Sequence, residues 1–140
     1  EIAYFGQKDA QQAIIIKRMA SDLNMPVKIK VMPTLREKDG LAMSSRNAYL
    51  DKKERKDAVV LYQALRLARN LVKQGDKEPL DIIRRMRGLI KNKKTAAIDY
   101  ISIVGLDDLK PVDIIKGDCL IALAARIGKT RLIDNIIIKS

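Results

Sequence analysis

Three short polar segments carry the residue types that could do chemistry. In the first, Gly6-Gln7-Lys8-Asp9-Ala10-Gln11-Gln12 joins a strand-like stretch to a helix-like one. Glycine lets the backbone turn sharply and approach a ligand closely. The helix start beyond it offers unpaired N–H groups and a partial positive charge, an anion site. Lys8 can reach a phosphate, and Asp9 can accept hydrogen bonds from ribose hydroxyls. A plainer account fits the same letters: Asp9 and Gln12 make a capping box, and Lys8 is solvated. The second segment, Gly40-Leu41-Ala42-Met43-Ser44-Ser45-Arg46-Asn47, sets two hydroxyls beside a guanidinium, whose fork matches phosphate oxygens two at a time. It is equally a polar loop in which Ser44 or Ser45 caps a helix. The third, Gly128-Lys129-Thr130-Arg131-Leu132-Ile133-Asp134-Asn135, reads as a basic hairpin. Its Asp134 and Asn135 either line a cleft or, as we prefer, satisfy neighbouring backbone.

Composition narrows the chemistry further. The chain has 140 residues and no histidine, so it contains no Ser-His-Asp triad, Cys-His pair or histidine-ligated metal. Cys119 is the single cysteine, which excludes an internal disulfide and a cysteine-rich zinc site; its strand-like surroundings predict a buried, inert thiol. Any catalysis falls to Lys, Arg, Ser, Gln, Asp and backbone donors, the groups that bind phosphates and stabilise developing charge. The net charge of +11 suits a polyanionic partner or is ordinary surface charge. No apolar run approaches the roughly 20 residues that span a bilayer, so no membrane partner is expected. A reducing cytoplasm is the compartment expected from the cysteine usage.

The elements that must position these segments follow from periodicity. Ile2 to Phe5 reads as a short buried strand. Asp9 to Asn24 has helical spacing, with Ile14, Ile15, Met19 and Leu23 as its stripe. Val27, Ile29 and Val31 alternate with lysines as a second strand. Strand, helix, strand predicts a parallel βαβ unit. After the polar loop of residues 36–47, Asp51 and Glu54 predict a capping box for a long helix with Ala58, Leu61, Leu65, Ala68 and Val72 on one face and Gly75 beyond its end. Pro79 opens another helix, with Leu80, Ile83, Met86, Leu89 and Ile90 inward. Ile98 to Val104, Cys119 to Arg126 and Arg131 to Ile138 are strands, the last two joined by a tight turn at Gly128 and Lys129. The expected fold class is α/β: residues 1–50 form a Rossmann-like βαβ unit, the building block of nucleotide-binding folds, and residues 51–140 a small α+β domain of two helices and a three-stranded antiparallel sheet. The chain opens inside a strand and without a Met, the pattern of a segment cut from something larger.

Taken together and in order, the three segments resemble the pantoate–β-alanine ligase family. The family's G-x-K-D-x-Q-Q is matched by Gly6 to Gln12, its D-G-L-A-M-S-S-R-N by Asp39 to Asn47, and its G-x-T-R-L-I-D-N by Gly128 to Asn135. Met43-Ser44-Ser45-Arg46 also resembles the KMSKS loop of the related class I aminoacyl-tRNA synthetases. The resemblance runs along essentially the whole chain, as the C-terminal half of the family's enzyme, and implies that residues 1–50 are the tail of a Rossmann-like nucleotidyltransferase domain.

It implies an ATP-dependent ligation in two steps. The pantoate carboxylate attacks the α-phosphorus to give a pantoyl-adenylate and pyrophosphate, and the β-alanine amine then expels AMP. Mg²⁺ accompanies the triphosphate. The family pattern places Gly6 and Lys8 at the phosphates, Asp9 near the ribose, Gln12 on pantoate, Ser44, Ser45 and Arg46 around the triphosphate, and Leu35 and Met43 beside the adenine. The C-terminal unit would close as a lid, and the family implies a homodimer. Its N-terminal His-x-x-His is missing here, so this chain alone is expected to be inactive. The competing readings are a basic nucleic-acid-binding module and a purely structural lid fragment. The five aromatic residues form no stacking platform with the basic ones, which disfavours nucleic acid.

Overall fold

Residues 1–139 are described by the computed structural model. They divide into two compact units, residues 1–35 and residues 36–140. The division falls upstream of the Leu50 boundary expected from sequence. The loop of residues 36–49 is drawn into the second unit by Leu41 and Ala42, which are buried, and by Arg36, which pairs with Asp134.

In the first unit, β1 (Ile2–Gly6) and β2 (Lys28–Met32) form a two-stranded parallel sheet, with Gly6 opposite Met32. Helix α1 (Ala10–Asp22) connects them, after a single 3-10 turn at Gln7–Asp9. The βαβ order is as expected; the buried face of the helix is not. Its buried residues are Ala10, Ala13 and Ala20, while Ile15, Met19 and Leu23 of the expected stripe are exposed. The small alanine side chains let the helix lie close to its strands, and the larger apolar residues fall on the other side.

The second unit holds α2 (Lys52–Ala58), α3 (Val60–Lys73), α4 (Pro79–Lys91) and the antiparallel sheet β3 (Ala96–Gly105), β4 (Cys119–Ile127) and β5 (Thr130–Ile138), in the order β3-β4-β5. One long helix was expected where α2 and α3 stand. They meet at Val59, whose backbone stays right-handed (φ −61°, ψ −22°). Asp51 and Glu54 close the expected capping box: each side chain accepts the other's backbone N–H, at 2.8 and 3.0 Å. At the far end of α3, Gly75 (φ +98°) takes the left-handed conformation that ends the helix. Its N–H donates to Val72 and that of Asp76 to Leu71, a Schellman arrangement.

The core lies between helices and sheet. Leu61, Leu65 and Ala68 of α3 and Ile82, Met86 and Ile90 of α4 share one core with Ile101 and Ile103 of β3 and Ile121, Leu123, Ala125 and Ile127 of β4, α4 lying against β3. In α4 the inward stripe is Ile82-Met86-Ile90; Leu80, expected inside, is exposed. The i, i+4, i+8 spacing keeps those three on one line, and Leu80 lies off it. Cys119 is 1% exposed, and its burial raises the thiol pKa, with Asp118 adding to the rise. The β4–β5 turn is held from outside, because Gly128 (φ +60°) donates its N–H to Thr95 and lies against the Glu54 carboxylate. Among the described residues no helix is long and apolar enough to cross a membrane.

Candidate functional site

The first candidate segment sits at the carboxyl end of the parallel sheet, where open α/β sheets bind ligands. Gly6 is the last residue of β1 and has extended backbone (φ −80°, ψ 137°). Gln7, Lys8 and Asp9 make the tight turn into α1. Asp9 stands at the N-cap without a side-chain hydrogen bond there, so the capping box with Gln12 does not form. Asp9 and Gln12 are both exposed and Lys8 is half-buried. Because Gly6 pairs with Met32, the chain leaving β2 emerges at the same edge of the sheet. Leu35 lies on it and is 73% exposed. Nearby in sequence, the Thr34 hydroxyl is buried without a hydrogen-bond partner.

The second segment is built into the α+β unit. Arg36 and Ala42 bridge as an antiparallel pair, and Glu37 to Gly40 turn between them, closed by the Gly40 N–H on the Glu37 carbonyl at 2.9 Å. Gly40 has φ +97°, and a Cβ there would collide with the Tyr62 ring; only glycine fits on both counts. Asp39 receives the Arg55 fork on both carboxylate oxygens, at 2.8 and 3.1 Å. That hydrogen bonding holds its carboxyl below the usual range, against a smaller opposing effect of burial.

Met43 and Ser45 are exposed, and Ser44 is half-buried. The Ser44 hydroxyl accepts the Arg46 N–H at 3.2 Å and caps the 3-10 turn Ser45–Tyr49, so its capping role is realised. Asn47 donates to the Ala42 carbonyl at 3.0 Å, which closes the loop on itself. Arg46 is exposed and donates through Nη1 to the Arg131 carbonyl on β5 at 3.1 Å. The remaining guanidinium donors, with the Ser45 hydroxyl, form a short cationic, donor-rich edge that suits phosphate oxygens.

The third segment holds the residues that sequence reasoning undervalued. Asp134 is 3% exposed in β5 and binds Arg36 bidentately, at 2.6 and 2.9 Å. Its carboxylate also accepts the Asn135 N–H at 2.8 Å, so the expected bond to neighbouring backbone is present but is the lesser part of its role. Arg36 in turn donates to the Gly40 carbonyl at 3.0 Å and stacks over Tyr62, 4.1 Å from the ring centroid. An Asp-Asn pair between Leu132-Ile133 and Ile136-Ile138 was the signal in the sequence, and it did not name its partner.

A family model described as pantoate-beta-alanine ligase matches residues 1–137. The pantothenate synthetase of Acetivibrio thermocellus is 52% identical over 137 residues, covering 98% of this chain and 49% of that protein. That of Heliobacterium modesticaldum is 50% identical over 139 residues, covering 99% and 50%. The chain therefore spans about half the length of the curated relatives it matches. Among solved structures, the pantothenate synthetase of Thermus thermophilus matches with a TM-score of 0.89 at 39% identity, over 96% of this chain and 49% of that one. The pantoate-beta-alanine ligase of Francisella tularensis, solved in complex with beta-gamma ATP and beta-alanine, matches with a TM-score of 0.61 at 29% identity, over 97% and 43%. With a family model running along almost all of its length and its three polar segments in the family's order, this chain belongs to the pantoate–β-alanine ligase family.

Proposed function

We propose that the chain is the C-terminal half of an ATP-dependent ligase that condenses pantoate with β-alanine through a pantoyl-adenylate, in the cytoplasm and as part of a homodimer. The observation that carries this reading is the donor-rich edge at Ser45 and Arg46, anchored on β5 and matching the family's segment residue for residue. The ATP and β-alanine bound by the Francisella relative support the substrates.

In this reading Lys8 neutralises phosphate charge and Asp9 engages the ribose. Gln12 holds pantoate, and Leu35 and Met43 flank the adenine. Ser44, Ser45 and Arg46 take the triphosphate, with the Ser44 backbone and the half-buried hydroxyl at the turn. Stabilising the charge that builds on the departing pyrophosphate is the main catalytic demand, and preorganised donors meet it without reorganisation. The loop of residues 36–49 serves the nucleotide from the α+β unit on which it is built, and that unit acts as a lid that excludes water from a hydrolysable intermediate. Mg²⁺ arrives with the triphosphate.

Calorimetric titration of ATP into the chain, and into Ser45→Ala and Arg46→Ala, tests the reading. Each substitution removes a charge-assisted hydrogen bond, so affinity is expected to fall about tenfold or more. Equal and negligible heats from all three proteins would leave a structural fragment instead. Activity is tested separately by AMP release with ATP, pantoate and β-alanine. It is expected only when the other half of the family's chain is supplied, and steady release by this chain alone would overturn that part.

A further inference from the structure

The Ser45–Arg46 edge is held at two points by one strand, through a backbone carbonyl at one and a mostly buried ion pair at the other. Arg46 reaches the Arg131 carbonyl, and Arg36 bridges the Gly40 carbonyl to the Asp134 carboxylate. Both anchor points lie on β5, three residues apart along an extended backbone. The loop between Gly40 and Arg46 is therefore pinned near its two ends against a strand of the central sheet. Strands are the stiffest rulers a small domain offers, because their neighbours fix them by a full ladder of hydrogen bonds; β5 pairs with β4 from Thr130 to Ile138.

Stability alone does not explain an Asp at this place. Burying a carboxylate and a guanidinium costs desolvation that their attraction only partly repays, and apolar replacements of such pairs are often neutral or stabilising. What an apolar residue cannot do is place a planar fork in one orientation. Asp134 grips both terminal nitrogens of Arg36, the Asn135 carbonyl takes a longer contact from Nη2 at 3.4 Å, and the Tyr62 ring fixes the guanidinium plane from one side. The remaining Nη1 donor is left aimed at the Gly40 carbonyl, where the chain turns at positive φ.

We propose that Asp134, acting through Arg36 and the Tyr62 ring, is a positioning residue that fixes the Gly40–Arg46 loop so that Ser45 and Arg46 present their donors in one geometry. That these donors meet ATP rests on the function proposed above; that they are held by Asp134 does not. The conserved charge of a lysine is insufficient in this role, since an ammonium lacks the fork.

The test uses Asp134→Asn and Arg36→Lys in this chain, with two readouts. Amide hydrogen exchange compares residues 41–47 with the β4 amides 120–125 of the same protein. ATP titration compares affinities. In both variants exchange in the loop is expected to rise about tenfold or more while β4 stays protected, since local and global opening are separable. ATP affinity is expected to fall about tenfold, as preorganised donors become mobile ones. Loop exchange unchanged in the folded variants would overturn the proposal, and so would a rise shared equally by β4, which marks a merely structural pair. Should Asp134→Asn fail to fold, Arg36→Lys, which keeps the carboxylate and a positive partner, decides alone. If the wild-type chain binds no ATP while the exchange arm behaves as expected, the positioning stands and the nucleotide reading falls.

Discussion

Replacing Gly40 by alanine tests, in one methyl group, whether the loop is as tightly specified as its geometry implies. Gly40 has φ +97°, and the added Cβ would collide with the edge of the Tyr62 ring. The left-handed backbone costs an L-residue about 1–2 kcal/mol. Forcing a methyl into an occupied space costs about 1–3 kcal/mol. Gly40→Ala should therefore destabilise the protein by roughly 2–5 kcal/mol, lowering the melting temperature by roughly 6 to 20 °C for a chain of this size. Tyr62→Ala separates the two contributions. Alone, it removes the ring that Arg36 stacks on, a loss of about 0.5–2 kcal/mol before packing is counted. Combined with Gly40→Ala, it removes the collision and leaves only the backbone cost, so the double variant should be less destabilised than the sum by about 1–3 kcal/mol. Urea titrations followed by far-UV circular dichroism give all four stabilities. Two results would refute the reasoning: a cost for Gly40→Ala well under about 1 kcal/mol, or a cycle additive within about 0.5 kcal/mol.

Two further expectations concern titrating groups. Asp39 is ionised with Arg55 across a half-exposed pair whose side chains are 45% and 33% accessible. Because its folded pKa lies below the unfolded one, the pair's contribution is fully present above the ordinary Asp range, near pH 4, and is lost as pH falls through the lowered folded value. Solvent screening keeps that contribution under about 1 kcal/mol, and Arg55→Gln should remove it together with its dependence on salt, as acid titrations at two ionic strengths would show; an Asp39 pKa unmoved in that variant by NMR would contradict the assignment. Cys119, buried in β4 with a raised pKa, should resist thiol reagents in the folded protein and react only at the rate of unfolding. Fast labelling under native conditions would mean that this end of the strand opens by itself.

Much of the architecture was legible because it rests on local signals. Strand alternation marked β3 to β5, Pro79 and Gly75 punctuated the helices, and Asp51 with Glu54 announced a cap that the structure closes on both sides. Periodicity went wrong where two stripes competed on one helix. In α4, Leu80 and Ile83 lie on one line and Ile82, Met86 and Ile90 on another, and the surface packed against them decides which is buried. In α1 the alanines were overlooked because a hydrophobic scale rewards size, whereas close approach to a sheet rewards its lack. The candidate residues on the loops were named by their types. The brace behind them was not, since Arg36 and Asp134 are separated by 98 positions and neither lies in a local pattern that names the other. The same brace explains why residues 36–49 pack with the α+β unit, when the order of elements had suggested a break near Leu50.

The two-stranded parallel sheet has a consequence for handling the protein. In this chain on its own, β1 and β2 have one strand neighbour each among the described residues, which leaves the outer backbone edge of each without a strand partner. On β2 the side chains of Lys28 and Lys30 act as gatekeepers that deter a stray strand, whereas β1, reading Ile-Ala-Tyr-Phe-Gly, carries no charge. Self-association at high concentration should therefore start along β1, and a lysine in place of the exposed Tyr4 would be the first substitution to suppress it.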